Sequence, residues 1–331
     1  GLSKLPKTLK HLQLSGRNKD FNCDAFGKLP SALETLKINH LQKLTTRSCM
    51  ALRSRLVGLT RLDLPGVTQM RDKCLKYLPP LLRHLNIRSV ISLTGAALSS
   101  LPQSLEFLDI SSLPLQDHDL TQLPPTLAKL CVTSVQSTLT TSGLQGLTSK
   151  TLQVLDLQAA FVPGLADTFS ATLTALRFRM LLPAVDSFFN SLPASLQLLD
   201  VIGPKWEDKH IAKGDLPWSL TWIALDADSL TPRMFNCFPK GLQYLNLRRM
   251  APFGAKSLLS LPKSLRHLQL EESDHNKRLL KECGRTFANF LGSPELASFG
   301  EYVFGPQDDT EERPSVEDQN LWTSPGNVEV D

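Results

Sequence analysis

The sequence predicts an α/β fold of the solenoid kind: a horseshoe of about twelve short coils, each giving one strand to a parallel sheet on the concave side, with a helical cap at the C-terminal end. Three observations carry this expectation. A phrase, Leu-Pro-x-x-Leu-x-x-Leu-x-Leu, stands in strong form at residues 5–14 and 261–270, and near-copies fill the interval. Its first conserved leucine after the proline recurs at Leu9, Leu33, Leu59, Leu82, Leu105, Leu127, Leu152, Leu173, Leu196, Leu220, Leu242 and Leu265, with 21 to 26 residues between neighbours. Three residues further on stands Leu in every copy but one, Ile223, and two beyond that comes a third apolar column from Leu14 to Leu270.

Each element follows from that phrase. Apolar residues alternating over a few positions read as a brief strand. Stretches such as 94–101 and 254–261, rich in Ala, Leu and Ser, read as the short helical turns that return the chain to the next strand. A single coil cannot bury its own leucines, so neighbours must stack and pair their strands in parallel. Proline sits three residues before the anchor in nine copies (Pro6, Pro30, Pro79, Pro102, Pro124, Pro193, Pro217, Pro239 and Pro262), where its fixed φ and missing N–H suit the corner before a strand. The repeat therefore spans 1–272. From Ser273 to Leu291, apolar residues including Leu279, Leu280, Cys283, Phe287 and Phe290 recur at helical spacing, which predicts an amphipathic cap within 273–304. The last segment, 305–331, has eight acidic residues and one basic, Arg313, and is expected to be a disordered acidic tail. Upstream of it stand 35 basic and 24 acidic side chains, so the body is basic. Opposite charges raise the expectation that tail and body attract one another in cis. The chain opens directly into a repeat, so a capping segment upstream of residue 1 is expected.

The Leu-x-x-Leu-x-Leu columns resemble the leucine-rich repeat family over about 80% of the chain. The Leu-Pro-x-Ser-Leu phrasing is also similar to variant repeats of slime-mould and giant-virus proteins and, more distantly, of bacterial effectors. One departure stands out. Where the family usually places Asn or Cys to bond the turn backbone, this sequence has Arg17, Leu41, Val67, Val90, Leu113, Val135, Ala160, Leu181, Pro204, Asp228, Met250 and Ser273. The corner must then be closed in another way. The resemblance implies protein recognition through the concave face. Its rivals are the substrate-recognition part of a larger enzyme or a ubiquitin-ligase adaptor, and a structural subunit of a large assembly.

On the concave side the outward strand residues form columns. The first runs His11, Thr35, Arg61, His84, Phe107, Lys129, Val154, Ala175, Leu198, Trp222, Tyr244, His267. Within it Leu198, Trp222, Tyr244 and His267 fall in consecutive coils and predict an exposed aromatic stripe. With Arg248, Arg177 and Asp200 from the neighbouring columns, they form the candidate partner-binding site, because interface hot spots favour Trp, Tyr and Arg. Two readings of the stripe stay open: a partner site, or a stripe that the cap, the tail or an upstream segment covers or that is ordinary surface.

Chemistry finds little footing. Asp63, Asp109, Asp156 and Asp200 share the second outward column in alternate coils, and an open sheet offers no water-excluding seat for a carboxylate pair. None of the seven histidines pairs with another at helical spacing, and the six cysteines form no CxxC. Neither a GxGxxG, a GxxxxGK[ST] nor a GxSxG string occurs. The chain is thus expected to be no enzyme and to take no cofactor and no metal. Nucleic acid is disfavoured as a partner, since the arginines alternate with Asp and no aromatic stacking ladder accompanies them. No apolar run nears the roughly 20 residues of a membrane span. Scattered thiols and the absence of Asn-x-Ser/Thr sites point to an intracellular, cytoplasmic protein.

Overall fold

The computed structural model describes residues 2–14, 23–39, 41, 43–67, 69–133, 138–147, 150–162, 169–180, 186–203, 205–271, 273–283, 289–290 and 328–330. Twelve strands carry the repeat: β1 His11–Leu14, β2 Thr35–Ile38, β3 Arg61–Asp63, β4 His84–Asn86, β5 Phe107–Asp109, β6 Lys129–Val132, β7 Val154–Ala159, β8 Ala175–Met180, β9 Leu198–Ile202, β10 Trp222–Asp226, β11 Tyr244–Arg248 and β12 His267–Leu270. They fall in two compact units. The first comprises Gly1–Leu139, Gly146–Leu152 and Pro306–Asp331 and contains β1 to β6; the second comprises Thr140–Gln145 and Gln153–Gly305 and contains β7 to β12.

In each unit the strands pair in sequence order, all parallel. Register keeps equivalent residues opposite one another: His11, Thr35, Arg61, His84, Phe107 and Lys129 in the first unit, and Val154, Ala175, Leu198, Trp222, Tyr244 and His267 in the second. The three apolar columns are buried along their whole length, with Leu85, Leu108 and Leu130 at 0 to 1% exposure. Each such leucine adds about 1.5–3 kcal/mol when fully withdrawn from water, which is why the phrase must repeat without a gap.

The prolines do what their position requires. All nine accept the anchor leucine's N–H on their carbonyl, at 3.0 to 3.4 Å, closing a turn that aims the chain into the strand. The returns are mostly six-residue 3₁₀ helices, among them Asp72–Tyr77, Gly95–Ser100, Asp117–Gln122, Pro232–Cys237 and Ala255–Ser260. One return holds a ten-residue α-helix, Thr46–Arg55, whose N-cap Thr45 accepts from Ser48 N on its side chain at 3.2 Å.

Two features explain how the coil closes without an asparagine ladder. The seventh residue after the anchor takes positive φ at Gly66 (73°), Ser89 (62°), Ser112 (77°), Gly203 (136°) and Arg249 (57°), turning the chain out of the strand. The next residue then points inward and is buried at Val67, Val90, Leu113 and Met250. Backbone bonds from Gly66 N to Arg88 O (2.8 Å), Ser89 N to Ser111 O (2.9 Å) and Ser112 N to Thr133 O (2.7 Å) replace the missing side-chain bonds. At Gly203 only glycine fits, since a Cβ there would lie 2.8 Å from Met180 O.

The second device is a hydroxyl ladder. The residue just before the anchor is Ser or Thr in many copies, and its Oγ donates to carbonyls of the preceding coil. Ser104 bonds Pro80 O (2.9 Å) and Leu82 O (2.7 Å). Thr126 bonds Gln103 O and Leu105 O, Ser219 bonds Ala194 O and Leu196 O, and Ser264 bonds Lys240 O and Leu242 O, all at 2.6 to 2.8 Å.

At the C-terminal end the helix is Asp274–Cys283, with Leu279 buried and His275 Nε2 3.0 Å from Phe253 O. The expected helix to Leu291 is too long. Asn289–Phe290 instead form a strand beside β12, in register His267↔Asn289 and Leu268↔Phe290, because an open sheet edge offers unpaired backbone groups that a strand satisfies and a helix does not. Of the acidic tail only Val328–Val330 is described, as a strand parallel to β1 with Gln13↔Glu329; residues 305–327 lie outside the described residues, as do Phe287 and Leu291.

Candidate protein-recognition surface

The second unit contains all seven residues expected to bind a partner. Register places Leu198, Trp222, Tyr244 and His267 side by side on β9 to β12, as their spacing predicts. Their expected exposure does not hold. Leu198, Trp222 and Tyr244 are buried at 8, 7 and 4%, and they form an apolar cluster with Ala175 and Ala224, against which Val154 packs. The reason lies in the strand spacing of about 4.8 Å, which brings large rings into contact. Trp222 and Tyr244 stack with centroids 5.0 Å apart and planes within 4°, each covering a face of the other. The Tyr244 hydroxyl donates to Gln269 Oε1 at 2.5 Å, and Asn246 Nδ2 donates to the same oxygen at 3.0 Å. Burial pushes the Tyr244 phenol up to about 12. Among the described residues, Trp222 Nε1 and His267 Nδ1 are buried without a hydrogen-bond partner.

Arg177, Asp200 and Arg248 are drawn into a ladder of their own. Arg177 Nε donates to Asp200 Oδ2 at 2.8 Å and its Nη1 lies 3.6 Å from Asp156 Oδ2, with only 2% of the guanidinium side chain exposed. Arg248 reaches Asp200 Oδ1 (2.8 Å), Asp226 Oδ1 (2.7 Å) and Val201 O (2.6 Å). Arg179 joins Asp156 at 2.6 Å and Arg249 joins Asp226 at 2.6 Å. Burial works against the Arg248 charge, but Asp200 and Asp226 outweigh it and hold that guanidinium's pKa above its usual value. Such a ladder fixes the geometry of the face, and breaking it would leave a charge buried alone. Arginines alternating with aspartates are visible in the sequence; that they neutralise one another inside the protein is not.

The first unit's face is built differently. Here the same column, Arg61, His84, Phe107 and Lys129, remains half-exposed. His84 and Phe107 stack with centroids 3.9 Å apart and planes within 2°, and Lys129 Nζ stands 5.1 Å from the Phe107 centroid. Beneath them Asp63 accepts from Arg61 Nε at 2.7 Å and contacts His84 Nε2 at 2.9 Å. Burial works to raise the Asp63 pKa, but His84 and then Arg61 together keep it below the usual carboxylate value. Burial pulls the His84 pKa down in spite of Asp63, so at neutral pH the imidazole is uncharged and donates from Nε2. Asp109 shows the opposite balance: burial raises it, and the N–H of Ser111, 3.0 Å from Oδ1, only partly offsets that. No distinctive motif marks this column in the sequence; register alone brings these residues into one row.

On the return side, two cysteines without a motif come together. Cys49 on helix Thr46–Arg55 hydrogen-bonds the Cys74 thiol, which also lies 3.5 Å from Leu44 O; the Cys49 bond is the main reason the Cys74 pKa falls to about 7. A cavity of about 640 Å³ lies beside them, lined by Thr46, Arg47, Gln69, Arg71 and Ser92 among others. Cys131 is buried on β6. Among the described residues, no cluster of three His, Cys, Asp or Glu is placed to hold a metal ion.

The stacked parallel strands find counterparts among solved structures. A circular leucine-rich repeat protein, CroV588, matches over 81% of this chain and 41% of its own, with a TM-score of 0.52 and 14% identity. The Drosophila Toll–Spätzle complex matches over 82% of this chain and 41% of that chain, with a TM-score of 0.54 and 17% identity. The chain has the leucine-rich repeat fold. It spans about two-fifths of the length of either counterpart. No family model and no curated protein matches its sequence. No helix among its described residues is long and apolar enough to cross a membrane.

Proposed function

We propose that this leucine-rich repeat chain is a non-enzymatic, intracellular protein-interaction module that takes a protein partner on the outward face of its sheet. The observation that carries the reading is the contrast between columns. Inward positions hold Leu, Ile or Val with one exception, Phe178, while outward positions change chemistry from coil to coil, as a surface shaped for a particular partner would. An open face lined by short strands has no enclosed seat for a small substrate, which argues for a macromolecule. Toll, whose fold is similar, occurs in a complex with a protein, and that precedent supports the same class of partner here. Of the seven residues expected to bind, Arg248 and His267 keep partial exposure and serve as contact points; Leu198, Trp222, Tyr244, Arg177 and Asp200 are the framework that holds them.

The test is crosslinking with mass spectrometry on the endogenous protein. Crosslinks from one partner protein should fall on outward strand residues such as Lys37 and Lys129. Crosslinks confined to the exposed return-side lysines Lys73 and Lys76 would refute the reading.

A further inference from the structure

The geometry points to a specific occupant for the first unit's face: an acidic, extended segment of a protein partner, lying along the Arg61–His84–Phe107–Lys129 column. The inference rests on the protein-recognition reading and names the chemistry of the partner.

Three observations support it. First, the column ends in cations and has stacked rings in the middle. Arg61 is 36% exposed and His84 22%, and Lys129 reaches over the Phe107 ring. Lys37 on β2 and Arg88 after β4 are half-exposed on the same unit's face. Second, the carboxylates beneath this column are withdrawn. Asp63 is buried at 2% and spent on Arg61 and His84, and Asp109 is buried at 8% under its Ser111 bond, so among the described residues of the column the charge that projects is positive. Third, both faces of the Phe107 ring and one face of the His84 ring are already used. His84 and Phe107 cover one another at 3.9 Å, and Lys129 sits over the ring of Phe107. Their edges remain, and the edge of an aromatic ring carries the positive part of its quadrupole. Carboxylates meet such edges favourably, whereas a nucleobase needs an open ring face on which to stack. Arg61 and Lys129 stand three strand spacings apart, about 14 Å. A peptide presenting a carboxylate at every second residue, spaced about 6.5 to 7 Å along an extended chain, can therefore reach both cations with carboxylates four residues apart and set the one between them against the ring edges.

The experiment uses the full chain and a fluorescein-labelled twelve-residue peptide of alternating Glu and Ser, with binding read by anisotropy at low salt. A Lys–Ser peptide of the same length and a twelve-residue oligothymidylate serve as comparison probes. The Glu–Ser peptide should bind more tightly than either. Lys129→Glu should weaken it about tenfold, the equivalent of about 1.4 kcal/mol, and Phe107→Ala about threefold. Lys129→Gln, which keeps a neutral polar head, should lie between, and circular dichroism melts establish that each variant is folded. Lys73→Glu, an equal charge change on the return side, should leave affinity within twofold. The inference is overturned if Lys73→Glu and Lys129→Glu weaken binding equally, since net charge then explains the affinity. It is also overturned if oligothymidylate binds at least as tightly as the peptide, or if the folded Lys129 variants bind like the wild type. Should the endogenous partner crosslink to the outward face while these peptide results fail, protein recognition stands and only the acidic occupant falls.

Discussion

At the scale of single residues, the outward aspartates show how position within one column changes chemistry. Asp63 and Asp109 occupy equivalent places two coils apart, yet Asp63 meets His84 and Arg61 while Asp109 meets mainly the Ser111 backbone. The Asp109 pKa is raised in the fold, chiefly by burial, so between the unfolded value and the higher folded one the native state holds more protons than the unfolded state. Stability contributed by this group is therefore present at low pH and lost as pH rises through that window. Asp109→Asn keeps an oxygen acceptor for Ser111 N and removes the ionisation. It should be as stable as the wild type or more so at pH 7, with the gain vanishing below pH 3.8, the ordinary aspartate value; urea denaturation at pH 3.5, 5 and 7 reads this directly. A variant destabilised at pH 7 would show that Asp109 serves as a charged group. Asp63, with its lowered pKa, works in the other sense: its stabilisation is present above the unfolded value and lost as pH falls through the folded one.

At the scale of the element, the Leu-Pro-x-Ser-Leu phrase acquires a reason for each letter. Leucine fills the interior, proline closes the entry turn, and the hydroxyl stitches one coil to the last. The Ser219 hydroxyl shares its one proton between Ala194 O at 2.7 Å and Leu196 O at 2.6 Å. Ser219→Ala should cost about 1–2 kcal/mol by equilibrium urea unfolding, from a lost hydrogen bond and carbonyls left short of a partner. No measurable loss would mean water replaces the hydroxyl without cost. The serine was visible as part of the phrase, but its partners lie in the preceding coil, some 22 to 25 residues away, where local reading does not reach. The corner without asparagine was legible as a departure from the family. How it closes was not, because it depends on backbone conformation at residues as different as Gly66, Ser89 and Arg249.

At the scale of the whole molecule, the basic body and acidic C-terminal stretch set opposite charges on one chain. Val328–Val330 pairs with β1 in the same unit that carries the Arg61–Lys129 column. Ending the chain after residue 305 should therefore raise affinity for the Glu–Ser peptide at low salt, and the gain should shrink as salt screens the attraction. Equal binding by both chains would dismiss cis competition.

The sequence by itself determined the repeat: where each of the twelve repeat strands falls, which residues fill the interior and which residues share an outward column, because a leucine every coil has one place to go and parallel register follows from stacking. Only the tertiary structure decided which outward residues meet solvent. Trp222 and Tyr244 stand in the column that also holds His84 and Phe107, yet the first pair closes into an apolar cluster and the second stays half-exposed. The physical reason is that exposure on a sheet face depends on the bulk of side chains one strand away, a distance of about 5 Å in space and more than twenty residues along the chain.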